Sequence, residues 1–279
     1  MQKLIDTHAH VNFAAFRDDA DAVIKRARGA GISIINVGTQ YSTSQKAVAM
    51  AHEFDCVWAA VGTHPVHLKK GSFEYADPDE LDTTEIQTIG EEFDYQKYLE
   101  LAQDDRVVAI GEIGLDYHHF EEGDDIVAIK KKQKEILLEF IRLANEVEKP
   151  VVIHCWDGYP DLLEILLEHP VKKLGVIHSF NGGYKTARKF IELGYFIGMN
   201  GMITYGDGFH RLIKEIDISN ILIETDCPYL GPNEHKGLRN EPLFVREVAE
   251  RIASVKEISL QEVVDTTTMN AERIFGIDV

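Results

Sequence analysis

Eight short runs of apolar, largely β-branched residues alternate with amphipathic stretches along the whole chain, and no other feature limits the possible folds so tightly. The runs cover residues 4–10, 32–38, 57–65, 107–116, 151–157, 175–180, 195–200 and 221–226. Most are continuously apolar, as parallel strands buried on both faces must be. Between them lie helical repeats, clearest over 126–149, where Ile129, Gln133, Ile136, Leu137, Phe140, Ile141 and Ala144 form a mostly apolar stripe at three-to-four spacing. The stretch 244–255 repeats the pattern, with Pro242 near its start, where a helix tolerates proline. Eight strand-then-helix units in about 250 residues predict a closed (β/α)8 TIM barrel. No G-x-G-x-x-G follows the first strand, which argues against an open dinucleotide-binding sheet. Residues 259–277 read as a further, C-terminal helix packed on the outside. The stretch 69–103 is longer and more acidic than a simple crossover, and reads as an insertion after strand three holding a loop or an extra helix. No linker divides the chain, so residues 1–279 form one expected domain.

A chain of 279 residues, 44% of them hydrophobic, can bury a core that needs no metal or disulfide merely to fold. The three cysteines, Cys56, Cys155 and Cys227, each sit in an apolar stretch and read as reduced, buried thiols of a cytoplasmic protein. No apolar run approaches the roughly 20 residues of a membrane span, and the first six residues lack a secretory signal. Neither a membrane nor an obligate protein partner is expected. The net charge of −18 speaks against nucleic acid, which normally meets a basic surface. Residues 71–125, however, hold 18 acidic and two basic side chains (Lys97 and Arg106), a net of −16, and the other 224 residues carry only the remaining −2. The acidity is regional, expected as a solvated face, and leaves the rest of the surface able to receive an anion.

The polar residues at the carboxyl ends of the strands carry the chemistry, because that end of a barrel holds the active site. Strand one ends Asp6-Thr7-His8-Ala9-His10, and residues two apart point the same way, so His8 and His10 aim together into the mouth. Strand four delivers Glu112, strand five His154, strand six His178 and strand eight Asp226. Four imidazoles and two carboxylates converging without compensation would be a costly buried cluster; divalent cations resolve that cost.

These residues stand in recognisable motifs. Asp-Thr-His-Ala-His, Gly62-Thr63-His64-Pro65, Ile110-Gly111-Glu112-Ile113-Gly114-Leu115-Asp116, Val152-Ile153-His154, Gly175-Val176-Ile177-His178-Ser179-Phe180 and Glu224-Thr225-Asp226-Cys227-Pro228-Tyr229-Leu230 resemble the TatD-related deoxyribonucleases, metal-dependent hydrolases of the amidohydrolase superfamily. Arg239-Asn240-Glu241-Pro242 and Thr267-Thr268-Met269-Asn270-Ala271 extend the resemblance to nearly the whole length. It implies one cation held by His8, His10, Glu112 and Asp226, with Glu112 bridging to a second held by His154 and His178. Paired divalent cations of this kind suit phosphodiester hydrolysis; the imidazoles favour Zn²⁺ or Mn²⁺, and the chemistry allows Mg²⁺. Asp226 is the expected general base; His64, before Pro65, reads either as a turn histidine or, as the resemblance favours, as a proton-bearing contact to the scissile phosphate.

In the loop after strand eight, His235, Lys236 and Arg239 are expected substrate contacts, Arg239 clamping phosphate in a bidentate way; Lys236 reads equally as a solvated surface residue, and Asn240 as a cap of the helix that starts near Glu241. Asp6 and Glu224 share the inward direction and read as partners that orient the ligands. Cys155 and Cys227 alternate away from the mouth. His52, His67, His118, His119, His169 and His210 fit no strand end and read mostly as surface histidines, His118 and His119 being the strongest exceptions. Three departures from the family touch the rim: Trp156 stands where a basic residue is usual, 69–103 is long, and 201–220 is short. Trp156 is placed to stack on a base. The expected function is cleavage of DNA, single-stranded and from the 3′ end; the alternative is hydrolysis of a small ester, lactone or amide at the same site.

Overall fold

The computed structural model describes residues 3–75 and 84–279. Strands β1 (Leu4–Ala9), β2 (Ile32–Val37) and β3 (Val57–Val61) are separated by helices α1 (Ala20–Gly29) and α2 (Tyr41–Glu53). A hairpin of β4 (Lys70–Tyr75) and β5 (Thr84–Ile89) and the helix α3 (Tyr95–Ala102) follow. The alternation then resumes with β6 (Val107–Asp116), α4 (Ile126–Val147), β7 (Val151–Trp156), α5 (Tyr159–Glu168), β8 (Gly175–Ile177), α6 (Tyr184–Glu192), β9 (Phe196–Met199), α7 (His210–Glu215) and β10 (Ile221–Ile223). Helices α8 (Val245–Lys256) and α9 (Leu260–Phe275) end the chain.

Eight strands form one parallel sheet in the order β1-β2-β3-β6-β7-β8-β9-β10. Its two edges meet at the carboxyl ends, where the His10 amide donates to the Cys227 carbonyl (2.9 Å) and the Asp226 amide to the His8 carbonyl (2.8 Å). The result is the expected TIM barrel, nearly closed, and the closure itself draws His8, His10 and Asp226 together.

The strands are apolar throughout because both faces are covered: all ten residues of β6 are buried. Ile34, Val151, Ile153 and Ile223 belong to a cluster shared with the surrounding helices. Ile5, Ile35, Val152, Val176 and Leu222 belong to a second, smaller one, whose members alternate with the first as an interior layer should. That layer also contains Ala271, Phe275 and Ile277. Helix α9 therefore does more than pack on the outside. It closes the barrel end opposite the mouth, with the Asn270 amide donating to the Ile218 and Ile221 carbonyls at the foot of β10 (both 2.9 Å). Ser259 caps it by accepting from the Glu262 amide (3.1 Å).

The insertion after β3 holds a hairpin as well as a helix, with residues 76–83 of the acidic stretch lying outside the described ones. Its acidity is not all a solvated face. The Glu91 carboxylate accepts from Thr63 Oγ1 (3.0 Å), Tyr98 OH (2.6 Å) and the Tyr41 amide (2.9 Å). Those bonds tie the insertion to the loop that carries His64. Among the described residues no helix is long and apolar enough to cross a membrane.

Candidate metal centre

The structure brings all six strand-end residues into one cluster organised by Glu112. Its Oε2 lies 3.5 Å from His8 Nε2 and 3.7 Å from His10 Nε2. Its Oε1 lies 2.9 Å from His178 Nε2 and 3.3 Å from His154 Nδ1. Asp226 Oδ1 stands 3.3 Å from His10 Nε2 and 3.7 Å from His8 Nε2. Two glycines make the approach possible. A Cβ on Gly62 would fall 2.7 Å from the Glu112 carbonyl oxygen, and one on Gly198 would fall 2.6 Å from Glu224 Oε2.

Charge and burial oppose each other here. Burial alone would raise the Glu112 carboxyl, but the charged His178 imidazole and the His154 hydrogen bond hold it well below the usual carboxylate range. Burial would likewise raise Asp226, and the His10 hydrogen bond with the charge of His178 overcomes it, lowering the group. Glu112 and Asp226 thus remain anions, the state a cation requires.

The donor set fits a divalent metal. His8 Nε2 and His10 Nε2 face each other at 3.1 Å, although two neutral imidazoles in that position can share one proton only. Sets of three ligand atoms within 4.8 Å of one another occur at His8–His10–Glu112, His8–His178–Asp226 and Glu112–His154–His178. Atoms each roughly 2.0–2.2 Å from a common ion stand at such separations. Glu224 is fully buried, with Oε1 3.4 Å from His178 Nδ1, so it can orient that imidazole as expected. Asp6 acts differently: it accepts from the Thr225 amide (2.9 Å) and Thr225 Oγ1 (2.6 Å), tying β1 to the loop after β10 rather than gripping a ligand ring. Cys155 and Cys227 sit in the core.

Residues that sequence reasoning did not assign to the site also take part. Asp116 accepts from His154 Nε2 (2.9 Å) and His119 Nδ1 (2.8 Å). The signal was available, since Asp116 follows Glu112 by four and shares its face of β6. His67 is buried, not a surface histidine, and lines the pocket above the centre. His118 pairs with Asp157 (3.0 Å) at the surface, and His52 with Asp104 (3.0 Å); His169 and His210 are exposed.

The pocket is walled by His64, Phe13, Val66, Trp156 and Tyr229, and no Lys or Arg is among the described residues lining it. His235 stacks on Phe244 (3.7 Å between centroids) and pairs with Glu247 (2.9 Å). Lys236 lies over the Tyr205 ring (4.5 Å). Arg239 grips both oxygens of Asp19 (2.8 and 2.6 Å) and also meets Glu241 (3.2 Å). Asn240 donates to the Thr225 and Tyr229 carbonyls (2.9 and 2.7 Å), holding the loop behind Asp226.

A parallel barrel whose mouth gathers imidazoles and carboxylates around one buried glutamate is the frame of a metal-dependent hydrolase. Residues 5–276 match the description of the TatD related DNases, and the chain belongs to that family. It is 37% identical over 279 residues to an uncharacterized metal-dependent hydrolase of Bacillus subtilis, YabD, covering 99% of this chain and 100% of that protein. Deoxyribonuclease TATDN3 of Homo sapiens is 29% identical over 276 residues, covering 98% of this chain and 94% of that one. Among solved structures, the TatD homologue YJJV of Escherichia coli superimposes with a TM-score of 0.82 at 28% identity, over 99% of each chain.

Proposed function

We propose that this hydrolase uses two divalent cations to cleave the phosphodiester bonds of DNA, trimming single strands from the 3′ end. The observation that carries the reading is the division of ligands between the two oxygens of Glu112: His8 and His10 beside Oε2, His154 and His178 beside Oε1. In this reading His8, His10, Glu112 and Asp226 hold one ion, and Glu112, His154 and His178 the other, as Mg²⁺, Mn²⁺ or Zn²⁺. When bound, such ions polarise phosphoryl oxygens, acidify water and steady the leaving oxygen.

The chain's own residues do the rest. Asp226, whose side chain is 13% exposed against 4% for Glu112, is the carboxylate open to the pocket. It takes the proton of the attacking water as the new P–O bond forms and the ester bond breaks. Burial holds the His64 imidazole well below its ordinary value and hence neutral. Its Nδ1 accepts from the Val66 amide (3.3 Å), so Nε2 carries the proton; it faces Glu112 Oε1 at 3.4 Å and can exchange that contact for a hydrogen bond to a phosphate oxygen. Phe13 and Trp156 offer the pocket apolar walls against which a base can lie. His235 and Lys236 can meet phosphates outside the pocket by exchanging their present partners. For Arg239 two carboxylates oppose that exchange, and we assign it to holding the loops together.

The family and the human relative's name support DNA as the substrate. The test is 5′-labelled single-stranded DNA incubated with protein loaded in turn with Mg²⁺, Mn²⁺ and Zn²⁺. A ladder shortening from the 3′ end is expected. Absence of cleavage with every ion would favour the second reading, hydrolysis of a small ester, lactone or amide, which the cation-free pocket lining and the acidic 71–125 region favour.

A further inference from the structure

We propose that Asp116 is the positioning residue of the His154 side of the centre, deciding which imidazole nitrogen is offered to a cation; this rests on the reading of His154 as a ligand. The Asp116 carboxylate divides its work. Its Oδ1 accepts from the amides of His118 and His119 (3.0 and 2.9 Å), and its Oδ2 from His119 Nδ1 and His154 Nε2 (2.8 and 2.9 Å). All four partners are donors, so the group is fully engaged as an acceptor. With Nε2–H of His154 committed to Asp116, Nδ1 is the nitrogen left to face Glu112 Oε1 at 3.3 Å. A hydrogen bond on one ring nitrogen fixes what the other can do.

Asp116 is itself held against rotation. Gln133, the one polar residue in the apolar stripe of α4, accepts from the Asp116 amide (2.9 Å) and donates to the Asp116 carbonyl (3.1 Å). Both ends of its peptide are thereby fixed, and its side chain is 1% exposed. The Trp156 indole lies nearly parallel to both imidazoles that Asp116 joins, 5.3 Å from His119 and 6.1 Å from His154. It packs against both partners of the carboxylate. That gives Trp156 a part in this site independent of any base it stacks on.

Asn at position 116 cannot reproduce the arrangement. Its single oxygen serves either the two amides or the two imidazoles. If the oxygen stays on the amides, the NH₂ group faces His154 and favours the tautomer with the proton on Nδ1, pointing at Glu112. A wrong tautomer with intact geometry is a sufficient cause of failure in such carboxylate–imidazole pairs.

The test is calorimetric titration of metal-free protein with Zn²⁺, comparing wild type, Asp116→Asn and His154→Ala. The expected result is two sites in wild type, with one of them weakened about 10–100-fold in Asp116→Asn, the usual scale for such outer partners. His154→Ala should lose that same site. Two sites of unchanged affinity in Asp116→Asn, with one lost in His154→Ala, would overturn the positioning role and leave the ligand reading standing. Unchanged binding in His154→Ala would overturn both. Should Asp116→Asn fail to fold, ¹⁵N-histidine NMR of Zn²⁺-loaded wild type decides. His154 protonated on Nε2 is expected; protonation on Nδ1 contradicts the proposal.

Discussion

At Glu112 and Asp226 the same burial that penalises a carboxylate is outweighed by imidazoles packed against it, so both stay charged although no lysine or arginine is among the described residues lining the pocket. Asp226→Asn keeps the shape and removes the proton acceptor. Its turnover on single-stranded DNA should fall by at least about 10²–10⁴-fold with an unchanged circular dichroism spectrum, whereas near-normal turnover would remove Asp226 from the base role. His67 shows the opposite balance. Burial pushes it from 6.5 down to about 4, and the Gln40 amide donates to its Nδ1 (2.7 Å), stabilising the neutral ring. The unfolded chain therefore takes up a proton first as pH falls, and the stability His67 provides is lost between about 6.5 and about 4. Urea unfolding of metal-free protein should lose about 2 kcal/mol less between pH 7 and pH 5 in His67→Gln than in wild type. Equal losses would show that His67 titrates normally.

The strands and their ends were legible as elements because each apolar run stops on a polar residue, and two-residue alternation then gives the direction of the side chains within each strand, such as Val152 and His154 on β7. What lay beyond a strand end was not. His67 reads as a loop residue until the turn after Pro65 carries it under the pocket. The hairpin was hidden because Thr84-Glu85-Ile86-Gln87-Thr88-Ile89 lacks strict two-residue alternation, its two isoleucines standing three apart. In the loop after β10, Arg239 resembles a phosphate clamp, and the structure pairs it with Asp19, 220 residues away, a pairing that no local pattern reveals. The Asp19 pair joins the loop after β1 to the loop after β10. Arg239→Ala should thus lower the urea midpoint while KM for DNA stays within about twofold. A rise of about tenfold, equivalent to about 1.4 kcal/mol of binding, would return Arg239 to the phosphate.

For the whole molecule, eight strands of a barrel supply positions that converge although the residues are spread from His8 to Asp226. Helix α9 seals one end, and the insertion braces the loop of His64 through Glu91. Site and fold are therefore the same construction, since the contact that joins the first and last strands also sets His8, His10 and Asp226 side by side. The eight strands of the barrel and the six groups at their ends followed from the sequence; the hairpin, the parts of Asp116 and His67, and the spacing around the two oxygens of Glu112 did not, because they depend on how distant segments pack. The account predicts that anomalous scattering from crystals grown with Mn²⁺ shows two peaks flanking the Glu112 carboxylate, one beside His8, His10 and Asp226 and the other beside His154 and His178. A single peak, or a pair that does not share Glu112, would contradict it.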